Sequence, residues 1–194
     1  MYRALGDQWG IAHALERVSK IAWEFGSYDE AKQLAEESLS IRQKIGDKRG
    51  IANILNGLGL IAKHQGQLEK AERRHRQSLA IYRELGDRAN TGRLLFLVGS
   101  DLVFVGKFAE GRSLGEEALQ IYHELGSRNT ELAYVNLELT HCEMMLGQYE
   151  QAGAYAQTAH TIFQNVVGLR GVGLALTFKG KIALAQESYA EARQ

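Results

Sequence analysis

The sequence predicts an all-α protein, an α-α superhelix built from stacked helix pairs. A segment that reads IYRELGD at 81–87 recurs along the chain with a period of 40 residues, and such a period is typical of repeat arrays. Its glycines are Gly6, Gly46, Gly86 and Gly126. Proline, which breaks helix interiors, is absent from the 194 residues. Between the glycines the apolar residues follow helical spacing, as at Leu55, Leu58 and Ala62.

A second marker divides each repeat into two helices. It pairs a glycine with a small residue five positions later, as at Gly26 and Ala31, and the last copy, at 186–192, lacks the glycine. The two markers alternate about every 20 residues, so we expect helix A at roughly 8–25 and helix B at roughly 28–45 of the first repeat. The whole chain, 1–194, is expected to form one solenoid of about four complete helix pairs with partial ends. The predicted repeats are 8–46, 47–86, 87–126, 127–167 and a partial 168–194.

The residues of the markers predict how each helix ends and begins. A glycine just past a helix supplies the left-handed residue that closes it. Asp47 and Asp87 then lie where a side-chain oxygen can cap the next helix. Ser27 with Glu30 three residues later predicts a capping box at the start of the first helix B.

Both ends of the sequence fall inside a repeat. Residues 2–7 match the tail of a helix B, and Gln194 comes early in the fifth helix B. Because repeat arrays normally end in polar capping helices, the sequence is expected to be a piece of a longer protein.

Composition excludes several classes of function. The 23 basic and 23 acidic residues balance, which argues against a general polyanion binder. No apolar run approaches the ~18 residues of a membrane span, and no signal-peptide pattern opens the chain. The lone Cys142 cannot form an internal disulfide, so a reducing, cytoplasmic setting is predicted.

No catalytic, cofactor or metal motif is found. The glycine clusters at 57–59 and 168–173 lie in helical patterns without a preceding strand, so neither reads as a nucleotide-binding loop. The six histidines show no spacing typical of metal ligands, and no nucleophile and base converge. The sequence therefore predicts a protein that is not an enzyme and holds no cofactor.

The second repeat resembles the tetratricopeptide repeat. The resemblance is carried by Leu55, Leu58, Gly59 and Ala62 on helix A, and by Gly66, Leu68, Ala71, Ser78 and Leu79 after it. The 40-residue variant, with Gly-Asp where shorter repeats have proline, is similar to arrays in bacterial signal-transduction ATPases, in maltose-activator-type regulators and in Pins-type adaptors. Departures occur at Thr140 and Glu143 in the fourth repeat and at Lys179 in the fifth.

The resemblance implies a concave groove lined by helix A. Its candidate residues are Asn53, Asn56, Lys63 and His64 in the second repeat, Arg93, Phe96, Ser100, Val103 and Phe104 in the third, and Tyr134, Leu137, His141, Met144 and Met145 in the fourth. The equivalent residues of the first repeat are His13, Glu16, Lys20, Trp23 and Glu24, and Leu60 joins the second.

Three features of these surfaces have alternative interpretations. Asn53, Asn56 and Arg93 resemble the sets that hold a terminal carboxylate in chaperone-binding relatives, or they are ordinary solvated residues. The cluster of Phe96, Val103, Phe104, Met144 and Met145 either anchors a partner or packs against a neighbouring helix. Residues 41–80 carry a net charge of +6 and residues 121–161 one of −4, so the basic run at 73–76 is either a solvated face or a docking site for an acidic partner. Nucleic acid is disfavoured because no aromatic residues alternate with these cations.

These observations predict a non-catalytic scaffold that binds a protein or peptide segment in its groove. We expect it to be the regulatory or sensor array of a larger cytoplasmic signalling protein, in contact with neighbouring domains of that protein. The alternative is an array that senses a small effector and acts on an adjacent ATPase or DNA-binding domain. A third possibility is that the array only spaces or oligomerises its neighbours.

Overall fold

A computed structural model describes residues 7–127, 130–166 and 169–191 of the chain, and within these ranges the backbone forms only α-helices and turns, as predicted. The helices are α1 (Gln8–Glu24), α2 (Tyr28–Lys44), α3 (Lys48–His64), α4 (Leu68–Glu84), α5 (Arg88–Phe104), α6 (Phe108–Glu124), α7 (Thr130–Met145), α8 (Tyr149–Asn165) and α9 (Leu169–Glu191). Helices A and B thus alternate from α1 to α8, and their bounds lie close to the predicted spans. Of the helix B tail predicted at 2–7 only Asp7 is among the described residues, and Gln194 is not.

The helices group into two compact units, Met1–Leu94 (unit 1) and Leu95–Gln194 (unit 2). In unit 1 each helix from α1 to α4 packs on the next, and α1 also contacts α3. Unit 2 repeats this arrangement from α6 to α9, with α7 also in contact with α9. Each unit therefore shows the packing of a helical repeat array. None of the helices in the described ranges combines the length and hydropathy needed to cross a membrane.

Glycine closes the helices as the markers predict. The glycines with a positive φ, between 63° and 79°, are Gly26, Gly46, Gly66, Gly86, Gly106, Gly126 and Gly147. After α1, the Gly26 N–H is donated to the Trp23 carbonyl at 3.0 Å and the Ser27 N–H to the Ala22 carbonyl at 2.9 Å. This pair of bonds is the Schellman closure, and both bonds recur after each helix from α2 to α7.

Aspartates cap the first turn of helix A, which confirms the prediction for Asp47 and Asp87. Asp47 Oδ1 accepts the Gly50 N–H at 2.9 Å, and Asp87 Oδ1 accepts the Asn90 N–H at 3.1 Å. The Asn90 side chain also donates to Asp87, and this bond is the main cause of the lowered pKa of the Asp87 carboxyl. The Gly-Asp pair therefore ends one helix and begins the next.

The capping box predicted at Ser27 is wrong. Ser27 occupies the N-cap position of α2, but its side chain makes no cap hydrogen bond. Gln67, Lys107 and Gln148 precede α4, α6 and α8 with ψ of 62° to 64°, against 63° at Ser27, and they also make no side-chain cap. Since these residues differ while the backbone does not, the preceding glycine turn starts helix B, and no side chain is needed.

Helix B crosses helix A closely at small residues. The small residues of the second marker are buried, namely Ala31, Ala71, Gly111 and Ala152. Farther along unit 1, Ser38 Oγ donates to the Ala12 carbonyl and Ser78 Oγ to the Ala52 carbonyl, each at 2.8 Å. The two bonds, 40 residues apart, fix helix B against helix A in the same register.

The volume of side chains at the crossing is shared between the two helices. A Cβ on Gly59 of α3 would lie 2.4 Å from the ring of His75, which is fully buried on α4. At the same register the first repeat has Ser19 on helix A and Ala35 on helix B. A large residue on one helix therefore requires a small one on the other.

Unit 2 accommodates the departures of the fourth repeat from the pattern. Thr140 is fully buried, and its Oγ1 donates to the Asn136 carbonyl at 2.8 Å. Glu143 is also buried, and its Oε2 lies 3.7 Å from Arg112 Nη1. This ion pair offsets the burial of a carboxylate at a position where small residues are usual.

The fifth repeat departs from the prediction. Helix α9 continues over 23 residues to Glu191, through the marker at which a turn and a new helix B were expected. Glu187 holds the place that Gly147 has in the fourth repeat. Because a residue with a side chain adopts a left-handed conformation only at a cost, the helix is not interrupted there.

We predict that Gly147→Ala lowers the free energy of unfolding by about 1–2 kcal/mol, because alanine is strained at a φ of 77° even though its Cβ would meet nothing within 4 Å. Gly153→Ala, six residues away inside α8 and equally free of contacts, is the matched control. It should instead stabilise by about 0.5–1 kcal/mol through helix propensity. Urea unfolding of both variants checks this, and equal effects of the same sign would contradict the role of the glycine turn.

We also predict that Gly59→Ser destabilises by about 1–3 kcal/mol through overpacking against His75. Adding His75→Ala recreates the Ser-Ala pair of the first repeat, so the double variant should be more stable than the sum of the single effects by about 1 kcal/mol or more. A double-mutant cycle by chemical denaturation measures this coupling. Simple additivity would show that the two positions do not share volume.

Candidate functional site: a cleft in unit 1

A cleft of about 300 Å³ opens between the helix A faces of unit 1. Helix α1 contributes Glu16, Ser19, Lys20 and Trp23, α3 contributes Asn53, Asn56, Gly57 and Leu60, and α5 contributes Arg93. The structure thus brings together four of the residues predicted for the groove of the second and third repeats, with first-repeat residues at equivalent positions. The four are Asn53, Asn56, Leu60 and Arg93. Its volume lies at the lower end of the range for small-ligand pockets.

Two polar atoms in the wall of the cleft are shielded from solvent without a hydrogen bond. They are the indole Nε1 of Trp23, a donor, and the amide Oδ1 of Asn56, an acceptor, and neither has a partner among the described residues. A buried polar group left without a partner is costly, so such atoms normally bind water or a ligand. Two residues that line the cleft therefore carry a donor and an acceptor without a partner in the protein.

Asn53 is held in place by Tyr82 of α4. The Tyr82 hydroxyl donates to Asn53 Oδ1, and Tyr82 is itself buried. Burial, with Asp87 nearby, raises the pKa of this hydroxyl, so it stays protonated and keeps its role as donor at neutral pH. The Asn53 amide group is consequently oriented with its NH₂ available for other contacts.

The charge of the cleft depends in part on Arg42, which contacts the wall residue Glu16. Arg42 is 3% exposed, and its Nη2 lies 2.6 Å from Glu16 Oε2 while its Nη1 pairs with Asp47. Glu16 is therefore paired with an internal cation, which it shares with Asp47. Lys20 and Arg93 also line the cleft, so its wall contains two cationic side chains that can contact an anionic or strongly accepting group.

Sequence reasoning missed Arg42 because its position is occupied by Tyr82 in the next repeat. The signal was in Gly50, the third residue of α3, which is buried. A Cβ on Gly50 would lie 1.8 Å from Arg42 Nη1, so a glycine is needed for the arginine to cross the start of α3.

The other predicted residues of unit 1 lie beside the cleft. The ring of His64 contacts Trp23 edge-on at 5.4 Å and stacks on Tyr28 at 5.6 Å, so it supports the indole. Lys63 is partly exposed on the last turn of α3. His13 stacks on Trp9 at 5.2 Å, outside the residues that form the cleft.

The sequence matches the profile of the tetratricopeptide repeat over residues 10–84 and 50–124, which together cover more than half of the chain. The chain belongs to the tetratricopeptide repeat family. A comparison with curated proteins gave no significant match.

Solved structures of tetratricopeptide proteins share the fold. A signal-transduction ATPase with numerous domains and a tetratricopeptide repeat sensor, from Pyrococcus horikoshii, is 20% identical with a TM-score of 0.80 over 89% of this chain. RapI in its apo form is 16% identical with a TM-score of 0.78 over 93% of this chain, and a Rap protein complexed with competence and sporulation factor is 18% identical with a TM-score of 0.75 over 93%. This tetratricopeptide chain spans only 27% of the ATPase and 50% of each Rap protein.

In unit 2 the predicted groove residues fall into buried and exposed sets. Leu137 belongs to a core cluster, Tyr134 contacts the Phe163 ring edge-on at 5.2 Å, and Val103 lies against the position of Gly111. These three side chains pack between helices of the repeat array. Ser100 is buried as well, and Phe96 is partly exposed.

Two of the predicted groove residues of unit 2 expose apolar surface, one at the end of α5 and one at the end of α7. Phe104 is 65% exposed and Met145 is 54% exposed, whereas Met144 packs partly buried against a core cluster. The apolar patch predicted from the sequence therefore divides, with some members in the packing of the repeats and two on the surface.

His141 lies between aromatic rings. Its ring is 5.8 Å from that of Phe108 and 6.0 Å from that of Phe178. Burial, together with Lys181 nearby, lowers the pKa of His141, so the imidazole is neutral at pH 7. These contacts make His141 a packing residue between α6, α7 and α9.

Among the described residues, no group of three or more His, Cys, Asp or Glu side chains could hold a metal ion. Cys142 is buried in α7, and desolvation raises the pKa of its thiol to about 12. Because the thiolate is the reactive form, this residue is unsuited to nucleophilic chemistry.

We predict that in the native protein at pH 8 Cys142 reacts with a thiol reagent such as DTNB at least about a hundredfold slower than in the urea-unfolded chain. The slow rate follows from burial and from the very small thiolate fraction. Absorbance of the released thiolate measures it, with helicity followed in parallel by circular dichroism. Rapid stoichiometric labelling of a fully helical sample would contradict the assignment.

Proposed function

We propose that this tetratricopeptide array is a non-catalytic scaffold that binds an extended protein or peptide segment in the cleft of unit 1. The observation that carries the proposal is the unmet pair in the cleft wall, the Trp23 N–H donor and the Asn56 acceptor. A peptide group offers one C=O acceptor and one N–H donor, so an extended main chain can satisfy both atoms. Binding then removes an existing cost, which favours the complex.

The remaining walls suit the side chains of such a segment. Trp23 and Leu60 supply apolar contact area, and Asn53 presents its NH₂ because its oxygen is held by Tyr82. Lys20 and Arg93 favour a carboxylate, either from an acidic side chain or from a chain terminus. Because stacked helices carry these groups on a rigid frame, most of the ordering cost of binding falls on the peptide.

Related structures support a role in signalling. The Rap neighbour was crystallised with competence and sporulation factor, and the archaeal ATPase carries its repeats as a sensor. By analogy we propose that this array is the regulatory or sensor part of a larger cytoplasmic signalling protein, with neighbouring domains among its contacts. An array that senses a small effector for an adjacent ATPase or DNA-binding domain is the second candidate, since the cleft volume also suits a small ligand.

The two tryptophans of the chain provide a matched test. Peptides selected from a displayed random library on the intact protein should lose about fivefold in affinity on Trp23→Phe, which keeps the ring and removes one hydrogen-bond donor. Asn56→Ala should have an effect of similar size. Trp9→Phe is the control, because Trp9 is 56% exposed and lies outside the residues of the cleft. In that variant Trp23 is the single tryptophan, so its fluorescence reports directly on binding.

The outcomes separate the candidates. Equal losses for Trp23→Phe and Trp9→Phe would place binding elsewhere and refute the cleft. Saturable thermal stabilisation by a metabolite, abolished by Asn56→Ala and without any peptide binder, would favour the small-effector array.

A further inference from the structure

A second surface of unit 1 is cationic and lies away from the cleft. On α4, Lys70, Arg73, Arg74 and Gln77 occupy positions i, i+3, i+4 and i+7, which form one stripe of a helix. They surround a shallow depression of about 280 Å³. None of them is among the residues that line the cleft.

The cations of this stripe are not neutralised within the protein. No carboxylate among the described residues lies within ion-pairing distance of Lys70, Arg73 or Arg74, although Arg74 Nη1 approaches Gln77 Oε1 at 3.3 Å. By contrast Arg76, on another side of the same helix, has its Nε 2.8 Å from Glu72 Oε1. The stripe therefore carries positive charge that is free to act on a partner.

Helix α2 extends the surface. Lys32 joins Lys70 and Arg74 at a narrow crevice that also contains Glu36 and, at its base, apolar residues of α3. Lys32 likewise has no carboxylate at ion-pairing distance among the described residues. The surface thus holds four cations and one acidic side chain.

The positive charge of the α4 stripe is found only in the second of the repeats that the structure describes. The residues at the register of the α4 stripe are Glu30, Gln33, Leu34 and Glu37 on α2, Glu110, Ser113, Leu114 and Glu117 on α6, and Gln151, Ala154, Tyr155 and Thr158 on α8. None of these is a cation. Arg74 replaces an apolar residue of the other helices, so the repeat pattern itself does not require the stripe to be basic.

We propose that the face formed by Lys32, Lys70, Arg73 and Arg74 docks an acidic polypeptide segment that carries at least two anionic side chains. From position 70 to position 77 the stripe is about 10 Å long. An extended chain covers that distance with three or four residues, so alternate anionic side chains can reach successive cations. Attraction between the two charge patterns guides association and selects the partner.

The observations favour an acidic polypeptide over nucleic acid. No Trp, Tyr or Phe side chain lines either depression, so bases would find no ring on which to stack. The cationic stripe is short, and Glu36 lies at its edge, which disfavours a long polyanion. The anionic side chains of such a segment are the carboxylates of Glu and Asp, and the test includes phosphoserine because it shares the chemistry that the arginines recognise.

The test measures binding of fluorescein-labelled peptides to the full chain by fluorescence anisotropy. The peptides have about twelve residues, so that they are longer than the stripe of roughly 10 Å. One peptide alternates Glu with Gly and Ser, one has phosphoserine in place of Glu, and one has Gln in place of Glu. We expect the two anionic peptides to bind and the Gln peptide not to bind. Binding should weaken severalfold when salt is raised from about 0.05 M to about 0.3 M, because exposed charges are screened.

Matched double variants on α4 locate the site. Lys70→Gln/Arg73→Gln should weaken binding of the anionic peptides about tenfold, whereas Arg76→Gln/Arg83→Gln, which removes the same charge from other sides of the helix, should change it less than about twofold. Gln preserves helix propensity, and circular dichroism checks folding. Asn56→Ala should leave this binding unchanged, so that failure of the cleft and failure of this surface are distinguished.

Three results would overturn the proposal. Equal losses in the two double variants would mean that only net charge matters. Loss of binding with Asn56→Ala would assign the acidic peptide to the cleft. The surface would be assigned to nucleic acid if a single-stranded oligonucleotide bound more tightly than either anionic peptide and if Lys70→Gln/Arg73→Gln abolished that binding. If the phosphoserine peptide alone binds, the partner is a phosphorylated segment, and if the Glu peptide binds equally well, no modification is required.

Discussion

The hydrogen-bonded closure at each left-handed glycine fixes where a helix ends, and from that point the next helix must start. Among the described residues, seven glycines with φ between 63° and 79° therefore divide the chain at intervals of 20 or 21 residues. Helices α1 to α6 and α8 each have 17 residues, with three residues between successive helices up to α6. Because the lengths are equal, residues 40 apart take equivalent places on successive helix A faces. The cleft depends on this register, since it places Trp23 of one repeat near Asn56 of the next.

Packing at the crossings leaves the exposed faces free to vary. The contacts of Ser38 and Ser78 with helix A are the same in both repeats, yet Gly59 with His75 and Ser19 with Ala35 fill the crossing in different ways. Since a small residue on one helix leaves room for the residue that faces it on the other, both pairs are compatible with the same backbone register. Surface residues such as Arg73 are not needed for packing between the helices, so their side chains can vary and bind a partner.

The sequence predicted the helices, the glycine closures and the aspartate caps because each depends on local chemistry repeated at a fixed period. It also placed Asn53, Asn56 and Arg93 on one face, since equivalent positions of a solenoid align. It could not separate exposed from packed residues on that face: Leu137 and Phe104 were predicted alike, yet one is in the core and the other is 65% exposed. That difference depends on which neighbouring helix covers each side chain. The sequence shows Glu187 in place of the turn glycine, but a turn was still predicted there because the other repeats have one.

Arg42 connects the construction of unit 1 with the chemistry of its cleft. Its guanidinium pairs with Glu16 of α1 and with Asp47, the cap of α3, and therefore joins three helices. Gly50 makes room for it, because any side chain there would collide with the guanidinium. The same ion pair offsets part of the negative charge of Glu16 in a cleft wall that also contains Lys20 and Arg93. An apolar residue at position 42 could fill the space but would leave Glu16 without its partner, and the cleft would then attract an anionic ligand less strongly. The preference of the cleft for a ligand is thus set in part by a buried residue that the ligand does not touch.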